Sequence, residues 1–316
     1  MKNFDILAIF ILFFLTSCNS GSTKSDTKSM VKTQKSYTFS LAQWSLHREI
    51  ETGKLDPFDF PRAAKELGFE AVEWVSHLYE KEIDILGLDA VVERWKAETE
   101  KYGIANVLIM VDGAGDLSTS NPTERDKAIE MHKKYVDAAA YLGGHSIRIN
   151  TFGTYNVDQW ITNTEDSLKK LGTYAASKNI NVLAENHGWY SSDPRVLIPV
   201  IEKVNLDNVG TLADFGNWCI KRVQLEDWGE CAEEYPDKYE GFKRLMTKAK
   251  AVSAKAYEFD EYGNETSLDF QRFVQIIKDS GYDNYISIEY EHERLNERDG
   301  IKKTKALLEK SINQLK

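Results

Sequence analysis

Between residues 37 and 316, short apolar runs alternate with longer stretches whose apolar positions recur every three or four residues. The short runs read as strands: Tyr37–Trp44, Ala71–Val75, Ile104–Met110, Ser146–Asn150, the run opening at Asn181, Val209–Asp214, Val252–Tyr257 and Tyr285–Glu289. The longer stretches predict helices over Pro57–Leu67, Leu88–Tyr102, Pro122–Leu142, Asn163–Lys178, Pro194–Val204, Asp237–Ala249, Leu268–Ser280 and Gly300–Gln314. Local signals agree with these bounds. Asn121 stands as an N-cap before Pro122, and Gly68, Gly103 and Gly143 follow helix ends. Strictly alternating βα units over this length predict an α/β fold, a (β/α)8 TIM barrel. An open doubly wound sheet would carry a glycine-rich phosphate turn after an early strand. The nearest stretch, Val111–Gly115, comes after the third strand and lacks the third glycine. The connection Phe215–Pro236 is unusually long, and long connections inside compact domains are generally functional.

A barrel places its chemistry at the C-terminal ends of the strands, so the side chains there become informative. Strand residues alternate faces, which puts Leu183, Glu185 and His187 on one side and Val182, Ala184 and Asn186 on the other. The fourth strand brings Arg148 and Asn150 to one face, the seventh Ser253, Lys255 and Tyr257, and the eighth Ser287, Glu289 and Glu291. The second strand ends near Glu73, the sixth at Asp214 with Asn217 just beyond, and the first leads into His47. In a closed barrel Glu185, Asp214 and Glu289 converge. Packed carboxylates raise one another's pKa unless a cation intervenes, and carboxylate oxygens suit Mg²⁺ or Mn²⁺, with a histidine shifting the choice towards Zn²⁺ or Mn²⁺.

The strand motifs LAENHG around Glu185, LADFGNW around Asp214 and ISIEYE around Glu289 resemble the metal-binding strands of the xylose isomerase-like TIM barrel superfamily, most closely its sugar isomerase/epimerase branch. The resemblance implies one divalent metal held by Glu, Asp, His and Glu from strands five to eight, with Glu185, Asp214 and Glu289 as ligands here. The chain departs from the pattern at the histidine, where Lys255 stands. Either the metal sits on the three carboxylates with water or His187, or Lys255 partly takes its place. The resemblance also implies catalytic roles for Glu185 and Glu289, with Lys255 as electrostatic partner. His47, Glu73, Asn150, His187, Asn217 and Trp189 are the candidate substrate-binding residues; relatives often place a sugar-binding His at the position of Asn217. The implied activity is isomerisation or epimerisation of a carbohydrate by proton abstraction next to a carbonyl. Two rivals stand beside it: a lyase or hydrolase acting on keto-glycosides, and a sugar-binding protein whose catalytic site has decayed.

Composition narrows the partners. The net charge of −10 and a pI near 5.3 argue against a nucleic acid, which needs clustered Lys and Arg. Lys2 followed by the apolar run Ile6–Leu15 and then Leu15-Thr16-Ser17-Cys18 resembles a bacterial lipoprotein signal. The expectation is a signal peptide over 1–17, lipidation of Cys18, a polar tether over 18–36, and a barrel over 37–316 in the bacterial cell envelope, with the lipid as its only membrane contact. Sugar phosphates are mainly cytoplasmic, so an unphosphorylated sugar is expected. That compartment permits disulfides, and Cys219 and Cys231 are either bridged or two free thiols.

Overall fold

Residues 37–226 and 228–315 are described by a computed structural model of the chain. The expected signal peptide, Cys18 and the tether lie outside these residues.

Ten strands occur among the described residues. They are β1 (Phe39–Ala42), β2 (Ala71–Val75), β3 (Ala105–Val111), β4 (Ser146–Ile149), β5 (Asn181–Glu185), β6 (Val209–Asp214), β7 (Cys219–Arg222), β8 (Cys231–Glu234), β9 (Ala249–Ala256) and β10 (Ile286–Tyr290). Eight of them close into a parallel barrel in the order β1-β10-β9-β6-β5-β4-β3-β2, as the βα alternation predicts. Closure runs through β1 and β10, where Phe39 pairs with Ile286 and Leu41 with Ile288.

The period-2 pattern separates two cores. Residues pointing outward, such as Val182, Ala184, Val252, Ala254, Ile286 and Ile288, pack under the surrounding helices. Those pointing inward form a smaller barrel core that includes Val75, Leu108, Met110, Leu183 and Leu212. Trp74 points outward and stacks on Trp95 at 4.8 Å, so it belongs to the helix layer.

Three helices, Leu88–Tyr102, Pro122–Leu142 and Pro194–Val204, have the predicted ends. The Asn121 side chain accepts from the Thr123 and Glu124 amides, satisfying backbone donors that the first turn leaves free. The helix expected from Asn163 starts earlier, at Val157, because Asn156 caps it and its first turn buries Trp160. The largest difference lies in the long connection after β6. It contains the antiparallel pair β7–β8, closed by a disulfide between Cys219 and Cys231 with Cα atoms 5.8 Å apart. No helix among the described residues is long and apolar enough to cross a membrane.

Candidate active site

The inward-facing side chains near the strand ends line a cavity of about 1010 Å³ at the C-terminal mouth of the barrel. Glu185 closes β5 and Glu289 lies one residue before the end of β10, and both carboxylates are almost fully buried. Asp214 closes β6 and is fully buried. One oxygen from each of the three lies within 4.8 Å of the others. Asp214 is fixed by its own turn: Oδ1 accepts from the Gly216 amide at 2.7 Å, and the Asn186 side chain accepts from the Asp214 amide at 2.8 Å. Gly216 has to be glycine, since a Cβ there would collide with the Tyr257 hydroxyl and the Lys255 stem.

Two cations are built into this acidic cluster. Lys255 reaches in from β9, with Nζ 3.2 Å from Glu289 Oε1 and 2.8 Å from Glu291 Oε2. Burial works against its charge, but Glu289, Glu291 and Asp214 outweigh burial and hold its pKa well above the ordinary lysine value. Glu291 shows the reciprocal effect: burial opposes its ionisation, yet Lys255 brings its pKa to about 2. Ser253 donates to the other Glu289 oxygen at 2.8 Å, and Trp44 donates to Glu291 Oε1 at 3.1 Å. Arg148 stands between Glu185 and Asp112, with Nε 2.8 Å from Glu185 Oε2 and Nη1 donating to Asp112 Oδ1 at 2.7 Å. Burial would raise Asp112, but Arg148 outweighs it and keeps the carboxylate low.

For Glu185 burial is the larger influence, and its pKa is raised despite Arg148 and Lys255. Asp214 is likewise raised well above the carboxylate range by burial, against the pull of Lys255.

A relay of polar groups crosses the cavity wall. Asn150 donates from Nδ2 to Asp112 Oδ1 at 2.6 Å, and its Oδ1 faces His187 Nδ1 at 2.8 Å. That arrangement puts the imidazole proton on Nδ1 and leaves Nε2 as an acceptor. Burial, reinforced by Arg148 and Lys255, takes the His187 pKa down to about 3, so the ring is neutral. Asn217 donates to Glu185 Oε1 at 3.2 Å from a left-handed backbone with φ 58°, a conformation asparagine tolerates.

The sequence-predicted residues therefore divide. Glu185, Glu289, Lys255, Asn150, His187 and Asn217 line one cavity. Asp214 is buried against Glu185 and Glu289 without lining that cavity, and three lie elsewhere. Glu73 is on the barrel floor, 1% exposed, where its Oε1 accepts from Ser40 at 2.8 Å; Ser287 stands beside it. His47 lies behind Trp44, stacked on its ring at 4.2 Å, and holds that tryptophan against the cavity. Trp189 lines an adjoining recess.

Other residues at the cavity were not assigned roles from sequence: Asp112, Arg148, Glu291, Tyr257 and Trp228. Asp112 was legible in principle, because it shares the inward parity of Met110 one step past the end of β3. His132 reaches the cavity wall while remaining buried, with Nδ1 on the Ala128 carbonyl at 2.8 Å.

The donor set suits a divalent cation. Asp214 Oδ2 is buried without a hydrogen-bond partner, Glu185 Oε2 meets only the Arg148 ion pair, and the three converging groups are all hard oxygen donors. Lys255 Nζ already supplies one positive charge beside Glu289.

Comparison with known proteins agrees with this architecture. A family described as "Xylose isomerase-like TIM barrel" matches residues 61–311. No curated protein sequence matches. Among solved structures, 3-keto-D-glucoside 4-epimerase from E. coli superposes with a TM-score of 0.66 at 16% identity, covering 87% of this chain and 100% of that one. D-allulose 3-epimerase from Methylomonas sp., in complex with D-allulose, gives 0.67 at 15% identity over 88% of this chain and 98% of the other. An AP endonuclease of family 2 from Brucella melitensis gives 0.62 at 16% identity over 84% and 97%. These similarities show a shared fold. With the family match spanning the barrel and the closed strand order intact, the chain belongs to the xylose isomerase-like TIM barrel family.

Proposed function

We propose that the protein is a carbohydrate isomerase or epimerase acting by proton transfer at a carbon next to a carbonyl. The observation that carries this reading is the meeting of Glu185 and Glu289, from β5 and β10, at one end of a large cavity with fixed cations beside them. One carboxylate removes the proton and leaves an enediolate; the other returns a proton from the opposite side. Glu185 suits the base role, since its raised pKa brings it closer to the working pH, where general bases are most effective. Lys255 and Arg148 carry fixed positive charge towards the enediolate oxygens, and a charge set in place beforehand costs no reorganisation as the anion forms. The neutral His187 presents Nε2 as an acceptor for a sugar hydroxyl.

Glu185, Asp214 and Glu289 would hold a divalent ion, whose chemistry is to polarise the substrate carbonyl and balance enediolate charge. Elemental analysis of the protein beside Glu185→Gln tests that assignment: metal in the first and not in the second is expected, and none in either removes it. The epimerases among the structural neighbours support a sugar substrate, and the expected envelope address favours an unphosphorylated one.

The reaction is tested in D₂O with ketoses and keto-glucosides. Deuterium should enter the product at the reacting carbon, and Glu289→Gln should slow its entry by about 10²–10⁴-fold. Turnover without deuterium sinks the enediolate. A second reading is favoured by the cavity volume, which exceeds what one sugar ring fills. In it the same proton abstraction on a keto-glycoside is followed by expulsion of the neighbouring oxygen. Release of the aglycone separates the two; binding across the panel without turnover would instead mark a sugar-binding protein.

A further inference from the structure

Next to the main cavity lies a smaller recess of about 130 Å³, and Phe152 and Trp228 form part of both walls. Trp189 and Tyr155 complete an aromatic enclosure. The Trp189 ring centroid is 5.5 Å from Phe152 and 4.8 Å from Trp228, both edge-on, while Tyr155 lies 6.1 Å from Trp189. These rings are not core. Trp228 is 50% exposed and Tyr155 41%.

The fold maintains this arrangement against cost. Trp189 sits at φ 51°, a left-handed conformation that is a genuine outlier for a bulky side chain. Its indole donates to the Leu225 carbonyl at 2.9 Å, tying it to the connection that carries Trp228. Gly188, with φ 91°, supplies a backbone conformation that other side chains rarely adopt, directly against the Trp228 ring. Arg222 lies over both tryptophans, 5.6 Å from Trp189 and 5.2 Å from Trp228, and donates to the Trp228 and Gly229 carbonyls. The Cys219–Cys231 bridge pins the base of the same hairpin. Trp228 is thus held in place at the junction of two cavities.

An aromatic slot continuous with the cavity that carries the charged cluster matches a ligand of two unlike parts. The polar part meets Glu185, Glu289 and His187; the other presents a flat apolar face to the rings. One face of a pyranose is a layer of C–H bonds, and an aryl group is apolar on both faces, so either stacks on tryptophan.

We propose that this recess binds a second ring linked to the reacting sugar, so that the substrate is a glycoside carrying a glycosyl or aryl group and not a free monosaccharide. Placing the reacting sugar in the main cavity rests on the function proposed above; the recess stands on its own geometry.

Calorimetric titration of the purified protein with methyl and phenyl glucosides of both anomers, cellobiose and maltose provides the test. In the wild type, a two-ring probe should bind at least about tenfold more tightly than the matching methyl glucoside. The ratio should fall to near one in Trp228→Ala and recover in Trp228→Phe, which keeps an aromatic face and controls for misfolding. A preference shown by the phenyl glucosides alone assigns an aryl aglycone, and one shown by the disaccharides alone a glycosyl group. A wild-type ratio near one, a ratio that survives Trp228→Ala, or no binding by any probe overturns the recess. The expected ratios with no deuterium entering keto-glucosides would remove the proton-transfer reading and leave the recess standing. Deuterium entry with a ratio near one would do the reverse.

Discussion

Replacing Glu73 by glutamine isolates the charge state of the barrel floor. The carboxyl is buried beneath the cavity with Ser40 on one oxygen and Ser287 beside it. Burial is the main cause that lifts its pKa from 4.5 to about 8; Glu289 and Glu185 add to the rise, against the opposing hydrogen bonds of Ser40 and Ser287. Since the folded value lies above the unfolded one, the folded state holds a proton that the unfolded chain releases between pH 4.5 and 8. Stability is therefore full below pH 4.5 and falls as pH rises through that window. At 1.36 kcal/mol per unit the loss is about 3 kcal/mol at pH 7 and approaches about 5 kcal/mol above pH 8. Glutamine mimics the protonated acid and has no such dependence. Urea unfolding of both proteins between pH 5 and 8.5, followed by tryptophan fluorescence, gives the difference directly, because groups that titrate alike in both cancel. Glu73→Gln should gain on the wild type steadily with pH at unchanged m-value. A flat difference would show that Glu73 is ionised in the native barrel, adding a negative charge beneath Glu289 and undoing the charge balance described for the site.

His132 provides the opposite sign. Burial lowers its pKa from 6.5 to about 4, so its contribution is full above pH 6.5 and lost as pH falls towards 4. The wild type should lose about 3 kcal/mol relative to His132→Phe over that interval in the same urea assay, and an unchanged difference refutes a neutral buried ring. Lys255→Met leaves the buried Glu289 and the half-buried Glu291 without their cation; unfolding free energy should drop by about 3–5 kcal/mol at pH 7, and a loss under about 1 kcal/mol would mean that the pair is dispensable. Replacing Cys219 and Cys231 together by serine frees a short loop worth about 3 kcal/mol of closure entropy, so proteolysis between them should accelerate while the barrel stays folded; equal cleavage rates would show that the hairpin is held without the bridge.

The barrel was legible because parity and helix signals are local. Val182 and Ala184 face the helices while Leu183 and Glu185 face inward, as alternation requires. Parity names the face of a strand but not the depth. Glu73 shares the inward face with Val75, yet it sits mid-strand, paired with Ala42 and Leu108, and so falls below the cavity. Glu185 ends its strand and reaches the mouth. Barrel stagger sets that difference, and stagger depends on strand pairing across the whole sheet. His47 missed the cavity for a related reason: a short helical turn after β1 swings it behind Trp44. Trp228 was beyond local inference, because its position depends on Arg222, the disulfide and the Trp189 backbone together.

Lys255, standing where the resemblance implies a histidine, sets the charge of the site before any ligand arrives. A neutral side chain there would leave Glu289 and Glu291 to repel each other. The lysine instead clamps both, with its amine 3.2 and 2.8 Å from them, while Arg148 clamps Glu185 and Asp112 from the other side. Each proposed proton carrier is thereby held by a fixed cation on its own side of the cavity. Such pairs persist only when both charges are satisfied, since removing one partner strands the other in a buried place. Asp214 differs. Its Oδ1 is taken by a backbone amide, but its Oδ2 has no partner, and the pull of Lys255 does not overcome burial. Positive charge is thus already committed to the two carboxylates proposed to move protons, and the open oxygen of Asp214 is where the site can accept more.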